Sequence, residues 1–236
     1  MVHFVGAGPG ASDLITVRGD RLLREADVVI YAGSLVNPEL LKGCRTDCAV
    51  YDSAYMTLEE VLEVIRDAER RGEMTVRLHT GDPSIYGAIR EQMDALDRMG
   101  IAYDVCPGVS SFCGAAAALN LEYTLPEVSQ SVIITRMEGR TKVPEKESIQ
   151  SFAAHQATMV LFLSTGLLEE LSGELIVGGY KEDTPAAIVY KASWPEEAVY
   201  RCTVGTLAAT AREKGVARTA LIVVGRVLDT GKDSGY

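Results

Sequence analysis

Histidine, tryptophan and long apolar runs are scarce in this chain, which has three His and one Trp in 236 residues. No stretch approaches the ~18 apolar residues that a bilayer-spanning helix needs, so no such span is expected. Before Asp13 there is neither a basic segment nor a long apolar one of the secretory kind, and no signal peptide is expected. The five cysteines, Cys44, Cys48, Cys106, Cys113 and Cys202, are an odd number in a long chain. A disulfide framework is therefore not expected, and a reducing cytoplasm is the natural compartment. Cys44-x-x-x-Cys48 is not a Cys-x-x-Cys pair, and His3, His79 and His155 are scattered, so no metal site is expected. A basic excess is missing as well. With 23 Lys and Arg against 33 Asp and Glu the net charge is −10, which argues against nucleic acid, whose phosphates require a basic face. An anionic small substrate fits that charge only where a local group of Arg and Lys lines its site.

What the chain does have is core-forming material: 47% hydrophobic and 24% charged residues, enough for one large or two compact domains. Val2–Gly6 reads as a strand running into a Gly/Pro turn. A helix is expected over 13–26 with Ser12 as N-cap. Strands follow at 27–31 and 48–51. Thr57-Leu58-Glu59-Glu60 is a capping box, and Leu58, Val61, Leu62, Ile65 and Ala68 have helical spacing. A strand at 74–79 empties into Thr80-Gly81-Asp82-Pro83-Ser84, from which a helix is expected to run to Met99. A strand at 101–106 leads to Pro107-Gly108-Val109-Ser110-Ser111 and an Ala-rich helix, 115–119.

This alternation implies an α/β fold with a parallel sheet covered on both faces, assigned to a domain over 1–120. After a linker at 120–129 the pattern shifts. Strands at 131–135, 158–163, 186–191, 198–203 and 220–225 are set among shorter helices, with a hairpin around Ser193-Trp194-Pro195-Glu196. A second α/β domain with a mixed sheet is expected over 121–236. Parallel sheets bind ligands at the carboxyl ends of their strands. The glycine-bearing loops at 6–10, 81–83 and 107–111 all leave strands at that end and should face one crevice.

Gly6-x-Gly8-x-x-Ala11 formally satisfies the dinucleotide fingerprint. A nicotinamide site also needs an acid at the end of the second strand, but that strand ends Tyr31-Ala32-Gly33-Ser34, and Asp27 sits at its start. Pro9 further removes one amide donor from the turn. A pyrophosphate cradle is not expected. The turn is either a bare tight turn or a close approach to some other ligand.

Val5-Gly6-Ala7-Gly8-Pro9-Gly10, Asp13-Leu14-Ile15-Thr16, Gly81-Asp82-Pro83-Ser84-Ile85-Tyr86-Gly87, Pro107-Gly108-Val109-Ser110-Ser111 and Thr219-Ala220-Leu221-Ile222-Val223-Val224-Gly225 resemble, in order, the motifs of the tetrapyrrole (corrin/porphyrin) methylases. Within that group, Tyr31-Ala32-Gly33-Ser34-Leu35-Val36 and Thr135-Arg136-Met137-Glu138-Gly139-Arg140-Thr141 are similar to the enzymes that methylate carbon 11 of precorrin-4, or of its cobalt form, in cobalamin synthesis. The resemblance implies S-adenosyl-L-methionine as methyl donor and a homodimer of two α/β domains, with the donor between the domains. It places the cofactor against Thr80, Gly81, Asp82, Ile85, Ser110 and Ser111, and against Leu163, Ala192, Thr219 and Ala220. Many relatives carry Gly where this chain has Thr80.

A sulfonium already activates its methyl group, so transfer to a ring carbon needs no metal. The protein's work is alignment and exclusion of water. No catalytic base is assigned. Asp82 can accept from a ribose hydroxyl or an ammonium, or can simply form an Asp-Pro turn. Arg136 and Arg140, with Lys142, offer forks for the substrate's carboxylates, or form a solvated basic loop. Gly8, Pro9 and Gly10 are placed beside the macrocycle or the methyl-transfer centre. His79 reads as core more readily than as catalytic. Trp194 packs the hairpin or meets a dimer partner. The rival readings are methylation of uroporphyrinogen or another precorrin, an NAD(P)-dependent oxidoreductase using the Gly6–Ala11 turn, and a noncatalytic corrinoid carrier.

Overall fold

The computed structural model of the chain describes residues 1–139 and 141–229. The chain divides into two units, Met1–Cys113 and Gly114–Tyr236. The division falls inside a helix and earlier than the 120/121 boundary expected from the linker-like composition that follows.

In the first unit β1 (Val2–Gly6), β2 (Val28–Tyr31), β3 (Ala49–Asp52), β4 (Thr75–His79) and β5 (Tyr103–Cys106) form one sheet in the order β3-β2-β4-β1-β5. All its pairings are parallel. The strands are short β-branched runs whose neighbours point to opposite faces. Val29, Val76 and Leu78 join one apolar cluster with Leu23, while Val28, Ile30 and Phe4 join another with Ile65 and Leu96. Both faces are therefore covered, the first by α1 (Val17–Glu25) and the second by α2 (Leu58–Arg70) and α3 (Arg90–Met99).

The Thr57–Glu60 capping box forms as its sequence predicts, with Glu60 N–H to the Thr57 hydroxyl at 3.2 Å and the Thr57 N–H to the Glu60 carboxylate at 2.7 Å. Two helix starts differ from expectation. Ser12 opens only a short 3-10 turn, Ser12–Leu14, because Ile15 and Thr16 are extended; the Thr16 hydroxyl, not Ser12, caps α1 by accepting from Gly19 N–H at 3.0 Å. The helix expected to leave the Asp82 loop directly begins only at Arg90. Tyr86 and Ala88 hold left-handed φ values of 54° and 50°, which no helix continues through. Gly100, at φ 67°, ends α3 as expected.

The second unit opens within α4 (Ser111–Leu119) and holds β6 (Val132–Arg136), β7 (Thr158–Phe162), β8 (Pro185–Tyr190), β9 (Ala198–Thr203) and β10 (Ala220–Val224). Their order is β6-β7-β10-β8-β9. β6 and β7 are parallel and the remaining pairs antiparallel, the β8–β9 hairpin included, so this sheet is mixed. α5 (Ile149–Ala153), α6 (Leu168–Gly178) and α7 (Leu207–Glu213) contribute to its core, where Leu171, Leu175 and Leu207 meet Met159, Leu161, Ile188 and Ile222.

Candidate functional site

The carboxyl ends of β4, β1 and β5, adjacent in the first sheet, bring the three glycine-bearing loops together. Gly8 and Gly81 exchange backbone hydrogen bonds, Gly8 N–H to Gly81 C=O at 3.2 Å and Gly81 N–H to Gly8 C=O at 2.8 Å. The Gly8 amide is thus committed to a neighbouring loop and not aimed at a pyrophosphate. A Cβ on Gly108 would lie 2.2 Å from Gly81 O and 2.7 Å from Gly6 Cα; backbone lies against backbone, and only glycine fits.

Asp82 closes this arrangement. One carboxylate oxygen accepts from Gly108 N–H at 2.8 Å. The other accepts from Ser84 N–H at 2.8 Å and from the Ser84 hydroxyl. Burial pushes the carboxyl up, but the Ser84 hydroxyl and the Gly108 and Ser84 amides together outweigh it, so the group is held below its ordinary range. Asp82 is the turn former of its own loop and also the tie to the next. Ile85 N–H donates to Asp82 C=O at 3.2 Å. Thr80 and Ser111 are half-buried and Ser110 buried. Gly8, Pro9 and Gly10 are buried, and Gly10 C=O accepts from the Asn37 amide at 2.8 Å.

Sequence reading passes over a buried polar network behind these loops. Arg77, 7% exposed on β4, donates to Gln92 Oε1 at 3.1 Å, Ile30 C=O at 3.1 Å and Ser53 Oγ at 3.0 Å. Gln92 in turn donates to the carbonyl of the strained Ala88 at 3.2 Å. His79, on the same face, is 5% exposed and lies 6.0 Å from the Phe4 ring. Its Nε2 has no hydrogen-bond partner among the described residues. Burial, with the Arg77 charge beside it, holds the imidazole neutral by lowering its pKa to about 3.

In the second unit the ends of β7 and β8 lie at the start of β10, since β10 runs antiparallel to both. There Leu163, Lys191 and Thr219 take left-handed φ values of 51°, 45° and 58°, strain of the kind concentrated at ligand sites. Lys191 N–H donates to Thr219 C=O at 2.9 Å, and the Thr165 hydroxyl to Ala220 C=O at 3.2 Å. Leu163 is 71% exposed and Ala192 buried. The second-unit residues expected at the cofactor therefore share one sheet end. Lys191, which sequence reading did not single out, joins them with its Nζ 5.7 Å from both the Tyr190 and Trp194 rings and 3.2 Å from Glu196.

Arg136 ends β6 at the same sheet end, opposite Phe162 of the parallel β7, and the next residue, Met137, donates its N–H to the Ser164 hydroxyl at 3.0 Å. The Arg136 Nη atoms donate to the carbonyls of Met137, Thr141 and Lys142 and to the Thr141 hydroxyl at 2.8–3.3 Å. Arg136 lines a cavity of about 360 Å³ with Glu138, Glu145, Glu170 and Glu174. Arg140 lies outside the described residues. Among the described residues no three His, Cys, Asp or Glu gather as metal ligands.

Residues 1–208 match the profile of the Tetrapyrrole (Corrin/Porphyrin) Methylases. The chain is 52% identical to a cobalt-precorrin-4 C(11)-methyltransferase of Methanocaldococcus jannaschii, covering 97% of this chain and 88% of that one. The crystal structure of a cobalamin biosynthetic enzyme, cobalt precorrin-4 methyltransferase, is similar with TM-score 0.94 and 47% identity over 97% of this chain and 95% of that chain. A uroporphyrin-III C-methyltransferase from Thermus thermophilus, complexed with S-adenosyl homocysteine, is similar with TM-score 0.80 and 27% identity over 100% of this chain and 97% of that chain.

Proposed function

The chain belongs to the tetrapyrrole (corrin/porphyrin) methylase family, and from that premise we propose that it transfers a methyl group from S-adenosylmethionine to carbon 11 of precorrin-4 or cobalt-precorrin-4 in cobalamin synthesis. The observation that carries the reading is the likeness to precorrin-4 methyltransferases along nearly the whole chain. The local structure is compatible with it. Thr80, Gly81, Asp82, Ile85, Ser110 and Ser111 in one unit and Leu163, Ala192, Thr219 and Ala220 in the other are assigned to the cofactor. They offer hydroxyls, main-chain groups and left-handed backbone, a donor set suited to a nucleoside and an amino-acid end and not to a metal.

When bound, the cofactor supplies an activated methyl. What remains for the chain is to hold its loops rigid, orient the acceptor carbon and keep water out. The Asp82–Gly108 tie and the Gly8–Gly81 bridge serve that rigidity. Gly8, Pro9 and Gly10 are assigned to the macrocycle side, next to the loop that Gly81 opens. Arg136 and Arg140 are assigned to its carboxylates, which for Arg136 requires release of the loop carbonyls it now holds.

The same reading takes the enzyme as a cytoplasmic homodimer, and sedimentation equilibrium at twice the chain mass is the expected result. Calorimetry tests the ligand class. Binding of S-adenosylhomocysteine with none of NADH is expected; the reverse overturns the proposal in favour of an oxidoreductase.

A further inference from the structure

Arg24, Arg45, Arg70, Arg71 and Arg90 each pair with a carboxylate at the surface, their side chains 46–77% exposed. Arg77 is the opposite case. It is buried at the middle of the sheet, and among the described residues no carboxylate pairs with it; its acceptors are an amide oxygen, a carbonyl and a hydroxyl. Neutral acceptors satisfy its geometry but leave its monopole uncancelled, which costs several kcal/mol in a protein interior. Burial lowers its pKa only to about 10, so the guanidinium is charged at neutral pH, and the adjacent His79 is not.

The charge lies just inside the carboxyl end of the first sheet. Arg77 is two residues before the end of β4. Its Nη2 reaches Ser53, the first residue beyond β3, whose hydroxyl holds Tyr31 C=O at 2.9 Å at the end of β2. Its Nε holds Gln92, which holds Ala88. Salt screens such a charge far less than a surface one. We propose that Arg77, left without a counter-ion because position 92 is Gln and not an acid, is an electrostatic determinant of affinity for the anionic tetrapyrrole at the carboxyl end of the first sheet. The inference rests on the methyltransferase reading above. Arg77 acts through its field and not by contact, its guanidinium held in place by Gln92, Ile30 and Ser53. At an effective dielectric of 20, one substrate carboxylate about 10 Å away gains on the order of tenfold in affinity.

The test is Gln92→Glu, which supplies the missing counter-charge in the same shape and keeps the acceptor for Arg77 while giving up the donor to Ala88 C=O. Steady-state kinetics with cobalt-precorrin-4 and S-adenosylmethionine should show KM for the tetrapyrrole raised about three- to tenfold, with kcat and the Kd for S-adenosylhomocysteine within about twofold. The thermal midpoint should hold or rise. Gln92→Met, which removes both the Arg77 and the Ala88 hydrogen bonds without adding charge, should leave that KM within about twofold while lowering the midpoint. If Gln92→Glu does not fold, Arg77→Met carries the same expectation for KM. Unchanged KM in a folded, charge-cancelled variant of an active enzyme overturns this inference alone. A wild-type enzyme that binds S-adenosylhomocysteine but methylates no tetrapyrrole overturns both this inference and the reading beneath it.

Discussion

The carboxylate of Asp82 accepts the backbone N–H of Gly108 at 2.8 Å, and so joins the loop that leaves β4 to the loop that leaves β5. The two loops hold the first-unit residues assigned to the cofactor, so this one side chain governs their spacing. Asp82→Ala should weaken S-adenosylhomocysteine binding at least about tenfold, the size of a lost charge-assisted hydrogen bond, while lowering the thermal midpoint by only a few degrees. Calorimetry and a thermal melt on one preparation check both. Unchanged affinity removes Asp82 from the site.

Gly108→Ala acts on the same joint from the other side. Its Cβ would lie 2.2 Å from Gly81 O and 2.7 Å from Gly6 Cα, all backbone that cannot rotate away. The expected loss is about 1–3 kcal/mol or more, read as a fall in the urea midpoint, together with loss of cofactor binding.

Arg136→Ala should raise the KM for tetrapyrrole and leave S-adenosylhomocysteine affinity intact. Arg136→Lys should not restore it, because an ammonium cannot present the planar two-pronged fork that pairs with a carboxylate. An equal loss for both ligands points to a collapsed loop and not to a lost carboxylate contact.

His79 sets an acid limit on the fold. Its pKa in the folded state is about 3 against an ordinary 6.5, so between those values the unfolded chain binds the proton and the folded chain does not. The stability this confers is complete above pH 6.5 and is lost as pH falls toward 3, at up to about 1.4 kcal/mol per pH unit. His79→Gln should flatten the difference between urea midpoints at pH 7 and pH 5. A slope identical to wild type contradicts the assignment.

These residues also mark how far the sequence alone carries. Local signals read correctly where the decisive partner is near in the chain: the β-branched strands, the Thr57–Glu60 box and the Gly100 stop each depend on a few adjacent residues. Ser12 and Thr16 both stand before an apolar helical run, and only the extended backbone between them decides which one caps α1. Good helix formers begin at Arg90, and the expected helix runs back from them to the Asp82 loop; Gly87 lies with its Cβ position 2.1 Å from Pro83 O, and the left-handed Tyr86 and Ala88 delay the helix to Arg90. In Val76-Arg77-Leu78-His79 polar residues alternate with apolar ones, and nothing local says what Arg77 meets on its face. The sheet is covered on both sides, and the partners that make Arg77 tolerable, Ile30, Ser53 and Gln92, come from three other parts of the chain. Convergence of the three loops at one sheet end is legible in the sequence, whereas the Asp82–Gly108 and Gly8–Gly81 contacts depend on register.

The central claim is methyl transfer to one ring carbon, and mass spectrometry of the tetrapyrrole after incubation with enzyme and methyl-labelled S-adenosylmethionine tests it most directly, with NMR locating the label. The expected product carries one added labelled methyl, bonded to carbon 11. A tetrapyrrole of unchanged mass, or a label at any other position, contradicts the account.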